Sequence, residues 1–503
     1  MSTTNELFTV KLDTGMPHEI SEDFSLPDYM PEVRRIVSCC ASPVPENKYV
    51  EGCDVVLSGV VNYTVLYIDC DGKLSAAHLN SEYSANIRCG NTDMTGISRE
   101  SIVSSTSVTS TSCRAMGPRK LSLGCRLYSK IFSASAYVCR ESVNVSSEGR
   151  THSATTADEL TLERKKHEAV SSSVTSTRQT GDVSGEVKTH PGTKIIACGG
   201  GAGITDVRVG HRDVTVKGEV CLDFITEDTA GDVATLRIKN PIEEIITVGN
   251  ISTTDREAKN ASANIRCAAI TVSGGDEGVY TWNMEYDIDV IHTSQRNIEV
   301  TDDIYSTKYE TETETESLTP IVCLKNSNSR LSVSGTKQVP PNADRHVGHV
   351  AGKVTVDRAE CSADGKLSLS GSCTVYVVTV GGGEITMEEV NLPVKFDCPC
   401  EKSDGMKNVI CEASVMYADG RLDGDKLTVN AELCLSLFAY AALKEDHISS
   451  CCIDSERELG TRGSCVKIYF PEEGEEMWDI GKKYHCRLEK ITRLDNGGTL
   501  IVS

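Results

Sequence analysis

The chain has 503 residues, 73 acidic against 51 basic side chains, and a formal net charge of −22. The length predicts about three or four domains, and the acidic balance repels phosphate backbones and anionic lipid, which excludes nucleic acid and membrane insertion as expected partners. No apolar run is long enough for a bilayer helix, and the opening "MSTTNELFTVKLDTG" has no secretory-signal pattern, so a cytoplasmic setting is expected.

The first predicted element is a short proline-led helix in "LPDYMPEVRRIVSC", with Pro31 in its first turn. Next, "DVVLSGVVNYTVLY" (Asp54–Tyr67) alternates apolar and polar residues around a central Gly59, which predicts a β-strand. The pattern returns around Gly218 in "DVTVKGEVCLDFI" and around Gly371 in "KLSLSGSCTVYVVTV". A mid-strand glycine at each place marks a bulge or the close approach of another backbone. "DCDGKL" after the first copy and "GGGEI" after the third are hairpin turns. Each unit then offers a second set of strands: Arg119–Val138, "SANIRCAAITV" with "TWNMEYDIDVI", and Asp425–Tyr440. "SANIRC" occurs twice, at Ser84–Cys89 and Ser262–Cys267, but at different distances from the preceding glycine. The glycine pattern is therefore the repeat, and the hexapeptide identity is coincidental.

"THPGTKIIACGGG" is read as the second copy of the proline segment; no third copy stands out. "ACGGGAGITDV" lacks the Gly-Lys-Ser/Thr of a phosphate loop and is expected to be a flexible loop. "KYETETETESL" alternates charge with β-branched residues, as an exposed edge strand or linker would. The fold expected is mainly β, with antiparallel sandwich or barrel-like units over 1–150, 151–305 and 306–447, then a linker over 448–463.

Residues 464–503 close the chain with a different periodicity. Val466, Ile468 and Phe470 alternate as a strand. Met477, Ile480 and Tyr484, then Leu488, Ile491 and Leu494, follow helical spacing, and Leu500 and Val502 share a final strand. A small βααβ module is predicted.

The 22 cysteines include no paired CxxC units, and many sit inside apolar alternation, so reduced thiols used for packing are expected, with no metal. Oxidative cross-linking of an assembly is a further possibility. No HExxH or GxSxG motif occurs; His346 and His349 are read as solvated, and Cys398-Pro399-Cys400 as a turn. No catalytic grouping and no cofactor are expected.

"LPDYMPEVRRIVSC" followed by "DVVLSGVVNYTVLYID" resembles the SPOCS domains of endospore-forming bacteria, through Leu26, Pro27, Asp28, Pro31, Val33, Ile36, Gly59 and Tyr67. "MGPRKLSLGCRL" resembles a later strand of that family. The tail resembles a LysM module through Tyr469, Gly474, Met477, Trp478, Ile480, Tyr484, Leu488, Ile491, Leu494 and Leu500. Together these imply a non-catalytic spore-coat morphogenetic scaffold of clostridial type. It would act in the mother-cell cytoplasm at the forespore surface, with the coat's basement-layer ATPase, other coat proteins and further copies of itself as partners. Glycan-binding LysM modules hold sugar between their first and last loops. Here the first loop is acidic and the last, from Asp495 to Thr499, is short. A basic protein partner is therefore expected at Glu472, Glu473, Gly474, Glu475, Glu476, Trp478, Tyr484 and Asp495. The alternative is peptidoglycan or cortex glycan, held by Trp478 and Tyr484.

Overall fold

Alternating β-branched and apolar side chains carry nearly the whole chain into strands, as the computed structural model shows. It describes residues 6–90, 92, 94–139, 141–147, 150–248, 258–274, 276–340, 344–381, 384–459, 466–494 and 499–502. The first unit contains β1 (Glu6–Ser25), β2 (Val33–Glu51), β3 (Asp54–Asp69), β4 (Leu74–Arg88), β5 (Ile102–Gly117) and β6 (Lys120–Val138). Two short strands follow, β7 (Ser142–Ser147) and β8 (Arg150–Ser153), then a helical turn, α1 (Thr156–Glu159). The second unit contains β9 (Leu162–Lys188), β10 (Lys194–Val209), β11 (Asp213–Glu227), β12 (Val233–Thr247), β13 (Ala258–Gly274) and β14 (Val279–Ser306). After β15 (Tyr309–Leu318) comes the third unit: β16 (Ile321–Gln338), β17 (His346–Cys361), β18 (Lys366–Gly381), β19 (Glu384–Pro399), β20 (Met406–Asp423) and β21 (Lys426–Ala442). The chain closes with β22 (Glu445–Glu458), β23 (Val466–Tyr469), α2 (Met477–Tyr484), β24 (Ile491–Arg493) and β25 (Thr499–Val502).

The three units share one topology. In each, the second, third and fourth strands form one sheet, and the first, sixth and fifth form the other. All these pairings are antiparallel. The two sheets face each other through the residues that alternate inward. Val61, Tyr63 and Val65 of β3 have counterparts in Val220, Leu222 and Phe224 of β11 and in Cys373, Val375 and Val377 of β18. The opposing sixth strands supply Leu123, Met284 and Val429. Each such side chain, fully buried, contributes about 1.5–3 kcal/mol.

The central glycines lie against bulges. Gly59, Gly218 and Gly371 pair with Pro45, Ile204 and Val356, and in all three cases the neighbouring strand gains one residue at that step. A Cβ on Gly218 would sit 2.8 Å from the Gly203 carbonyl oxygen; on Gly59 it would sit 2.8 Å from Pro45 Cα and collide with the Val44 carbonyl. A second bulge recurs seven residues beyond the glycine, where Leu66, Ile225 and Val378 pair with Ser38, Ala197 and His349. The two copies of "SANIRC" fall in β4 and β13, a fourth and a fifth strand, so the glycine pattern is the structural repeat.

The units close in a ring. The second strand of each runs beside the fifth strand of the next: β2 beside β13, β10 beside β20, β17 beside β5. Leu66, Ile225 and Val378, at equivalent positions, meet in one apolar cluster; Phe132, Ile291 and Phe438, equivalent in the sixth strands, meet in another. A cavity of about 1450 Å³ lies among the three units, lined by these second and fifth strands. One charged network reaches all of them. Arg266 of β13 pairs with Asp289 of β14 and, at 2.5 Å, with Glu412 of the third unit. Arg178 pairs with Asp289 at 2.8 Å and donates to the Pro45 carbonyl of the first unit. Burial alone would raise the Asp289 carboxyl, but the two guanidiniums hold it well below the usual carboxylate range.

Several expectations change. "LPDYMPEVRR" is not a helix: a turn at Asp28–Met30 leads into β2 at Val33. Its polar backbone is held by other groups, with Leu26 N–H donating to Arg119 O at 2.8 Å and Tyr67 Oη donating to Pro31 O at 3.1 Å. The same joint recurs, as Thr189 N–H to Gly278 O and Val339 N–H to Asp425 O, so Val339-Pro340 is the third copy that sequence did not reveal. "ACGGGAGITDV" lies in β10 and is no flexible loop; a Cβ on Gly203 would press on Met416 Sδ at 2.9 Å in the third unit. His349 is buried at the same junction, with Nδ1 3.2 Å from Thr235 Oγ1, and burial lowers it to about 4. The stretch 448–463, expected as a linker, carries most of β22. The inter-unit connections pair with one another as a four-stranded sheet ordered β15-β22-β7-β8, which buries Val145, Ile448 and Ile453. β15 is its charged edge, as "TETETE" suggested.

The bulge contact separates two kinds of glycine. Gly371→Ala drives a Cβ into the Thr355 carbonyl and is expected to cost about 3 kcal/mol by overpacking. Gly72→Ala, at φ +83° in an open turn, is expected to cost about 1 kcal/mol. Thermal unfolding of both variants measures the difference; equal losses would remove the bulge from the account.

Candidate functional site

The tail forms a small antiparallel sheet ordered β23-β25-β24, with α2 packed on it through Ile480 and with Ile491 beneath. The second expected helix is absent. Leu488–Lys490 makes one 3₁₀ turn, and Ile491–Arg493 continues as β24 paired to β25. Spacing by threes at Leu488, Ile491 and Leu494 suits either form, and the β-branched Ile491 and Thr492 pair readily with the returning strand.

This module sits on the end of the second unit. β9 and β14, at 27 and 28 residues, outrun the matching first and sixth strands elsewhere (20 and 19 in the first unit), and their overhang receives the tail. A bulge between Thr301 and Asp303 precedes the key acid. Asp303 accepts from Trp478 Nε1 at 2.9 Å and from Lys482 Nζ at 2.7 Å. The Trp478 ring meets Tyr305 edge to face at 4.9 Å, and Tyr305 Oη donates to the Cys486 carbonyl at 2.8 Å. Lys165 pairs with Glu476 at 2.9 Å, and Arg487 donates to the Leu160 carbonyl at 3.1 Å. Gly481 allows the approach: a Cβ there would lie 2.5 Å from Tyr305 Oη. Burial raises the Asp303 carboxyl, but the hydrogen bonds from Lys482 and Trp478 outweigh it and hold the group below its ordinary value.

The predicted partner residues divide accordingly. Trp478 is only 6 % exposed and faces Tyr305, so it lines no open groove. Glu476 holds Lys165. Glu475 folds back to accept from Tyr469 Oη at 2.9 Å and from Glu472 N–H at 3.0 Å, with that backbone bond the main cause of its lowered pKa. Tyr484 packs edge to face on Tyr469 at 5.5 Å. Asp495 lies outside the described residues. Glu472 and Glu473 remain exposed just before Gly474, which turns at φ +89°, and their carboxylates make no ion pair among the described residues. A few residues before them in the chain come two apolar side chains that sequence placed in a strand pattern but not at the surface: Ile468, 59 % exposed, and Phe470, 63 % exposed. Asp303, Tyr305 and Lys165 carried no local signal, because they become a site only when the tail is laid on them.

Among the described residues, no group of three or more His, Cys, Asp or Glu side chains is arranged to hold a metal ion, and no helix is long and apolar enough to cross a membrane. Compared with known proteins, the chain matches no family model, no curated relative and no solved structure.

Asp303→Asn is expected to loosen the docked tail by about 1–2 kcal/mol, discounted because Lys482 is half exposed. Hydrogen exchange at the Ile480 and Cys486 amides is then expected to rise about tenfold, with β11 unchanged. Since the folded Asp303 carboxyl lies below its ordinary value, its contribution is complete above pH about 4 and disappears as pH falls through the lowered value. Loosening between pH 7 and 5 would contradict this assignment.

Proposed function

We propose that this chain is a non-catalytic spore-coat morphogenetic scaffold that docks coat proteins at the forespore surface, with its C-terminal module recruiting a basic protein partner. The observation that carries the reading is the division of the tail. Its tryptophan face is occupied by the second unit, while Glu472 and Glu473 are exposed, as are Ile468 and Phe470 a few residues before them in the chain. Unpaired carboxylates close in sequence to exposed apolar side chains fit a basic segment with apolar anchors. Three sandwich units in a ring supply a broad β surface for coat proteins or further copies, consistent with a scaffold role. The alternative, cortex glycan, would ask Trp478 for ring stacking, and that ring is buried on Tyr305.

Charge reversal tests the reading. The double variant Glu472→Lys, Glu473→Lys is expected to lose recruitment of a fluorescent fusion to the forespore while leaving thermal stability within about 0.5 kcal/mol, as surface changes do. Unchanged localisation would overturn the acidic-loop reading. Binding of the purified chain to peptidoglycan that survives this variant would favour the glycan alternative.

A further inference from the structure

Several cysteines here pack as hydrophobes: Cys125, Cys373 and Cys434 are each buried among apolar neighbours. One pair does not fit that role. Cys361 ends β17 and Cys400 follows β19, yet their sulfurs lie 3.7 Å apart, in van der Waals contact. The turn between β17 and β18 builds this approach. Gly365, at φ +87°, accepts from Cys400 N–H at 3.0 Å, drawing the chain after β19 across the turn. A Cβ on Gly365 would press on the Cys400 carbonyl at 2.8 Å. Both cysteines are half-buried, within reach of a small reagent.

We propose that Cys361 and Cys400 form an oxidation site that a small-molecule disulfide converts to an intrachain disulfide. The inference does not depend on the scaffold reading. The Cys400 thiolate attacks the reagent RSSR; the S–S bond breaks, RS⁻ leaves, and it takes up the proton that Cys400 released. Cys361 then gives its proton to solvent and attacks the Cys400 sulfur of the mixed disulfide, expelling the second RS⁻, which is protonated. Two protein thiols lose two electrons, and RSSR becomes two RSH. Burial, then contact with Cys400, pushes the Cys361 thiol up to about 12, so Cys400 is the first attacker and Cys361 the resolving thiol. The product would tie the second strand of the third unit to the end of the fourth across 39 residues of sequence, restricting the unfolded chain.

The test uses the full chain, reduced, freed of reductant and exposed to oxidised glutathione under native conditions. Alkylation and unreduced peptide mapping by mass spectrometry follow. The expected result is a peptide joining Cys361 to Cys400 and a rise of several degrees in Tm, both reversed by dithiothreitol. In Cys361→Ser, and in Cys361→Ala as a second variant should one fold poorly, Cys400 is expected to stop at the glutathione adduct with no rise in Tm. The exposed Cys53 and Cys70 report that the reagent has acted, and the glutathione concentration is raised until they carry the adduct. If Cys361 and Cys400 then remain alkylatable, or are found joined to other cysteines or to a second chain, the proposal is overturned.

Discussion

One steric constraint, met three times, organises the molecule: a bulged strand pressing its backbone onto the middle of its neighbour. At Gly59, Gly218 and Gly371 the opposing carbonyl or Cα comes too close for any side chain. The bulge bends the second strand of each unit and increases its twist. That bent strand is the one that lines the cavity and meets the fifth strand of the next unit. The ring of three units therefore rests on a contact that only glycine tolerates.

The junctions between units are unequal although the units are alike. At the second-to-third junction, the glycine run of β10 lets backbone approach backbone, with His349 buried and the Arg266–Glu412 pair largely shielded beside it. An ionic contact of this kind gains little over well-packed apolar residues, yet removing one partner leaves a buried charge that costs about 3–5 kcal/mol. Such a network favours one arrangement of the units over others that would bury similar apolar area. The connections behave likewise: stretches that look like linkers pair as a sheet, so the route between units is itself ordered.

The tail is attached rather than suspended. Overlong β9 and β14 present Asp303 and Tyr305, and Trp478 and Lys482 close on them. An indole N–H and an ammonium on one carboxylate give direction as well as energy. The face that carries a module's most recognisable aromatic residue is thereby spent inside the chain, and the acidic turn becomes its outward feature.

Much of this was legible in the chain itself. Period-two alternation marked the strands, the spaced glycines marked the repeat, and "TETETE" marked a charged edge, because each signal is local and rests on side-chain direction or backbone sterics. The proline segment was visible as a motif but not as a turn, since its backbone is satisfied by Arg119 and Tyr67 across the unit. At the candidate site, sequence picked out the acidic loop and the helix. It left Trp478 open between core and groove, because an aromatic residue at helical spacing is the same whether it faces a groove or a neighbouring strand. Sequence alone determined that this is a repeated β protein with a distinct C-terminal module. Only the tertiary structure decided which strands meet between units, which thiols touch, and which face of the tail stays open, because those depend on contacts between residues hundreds of positions apart.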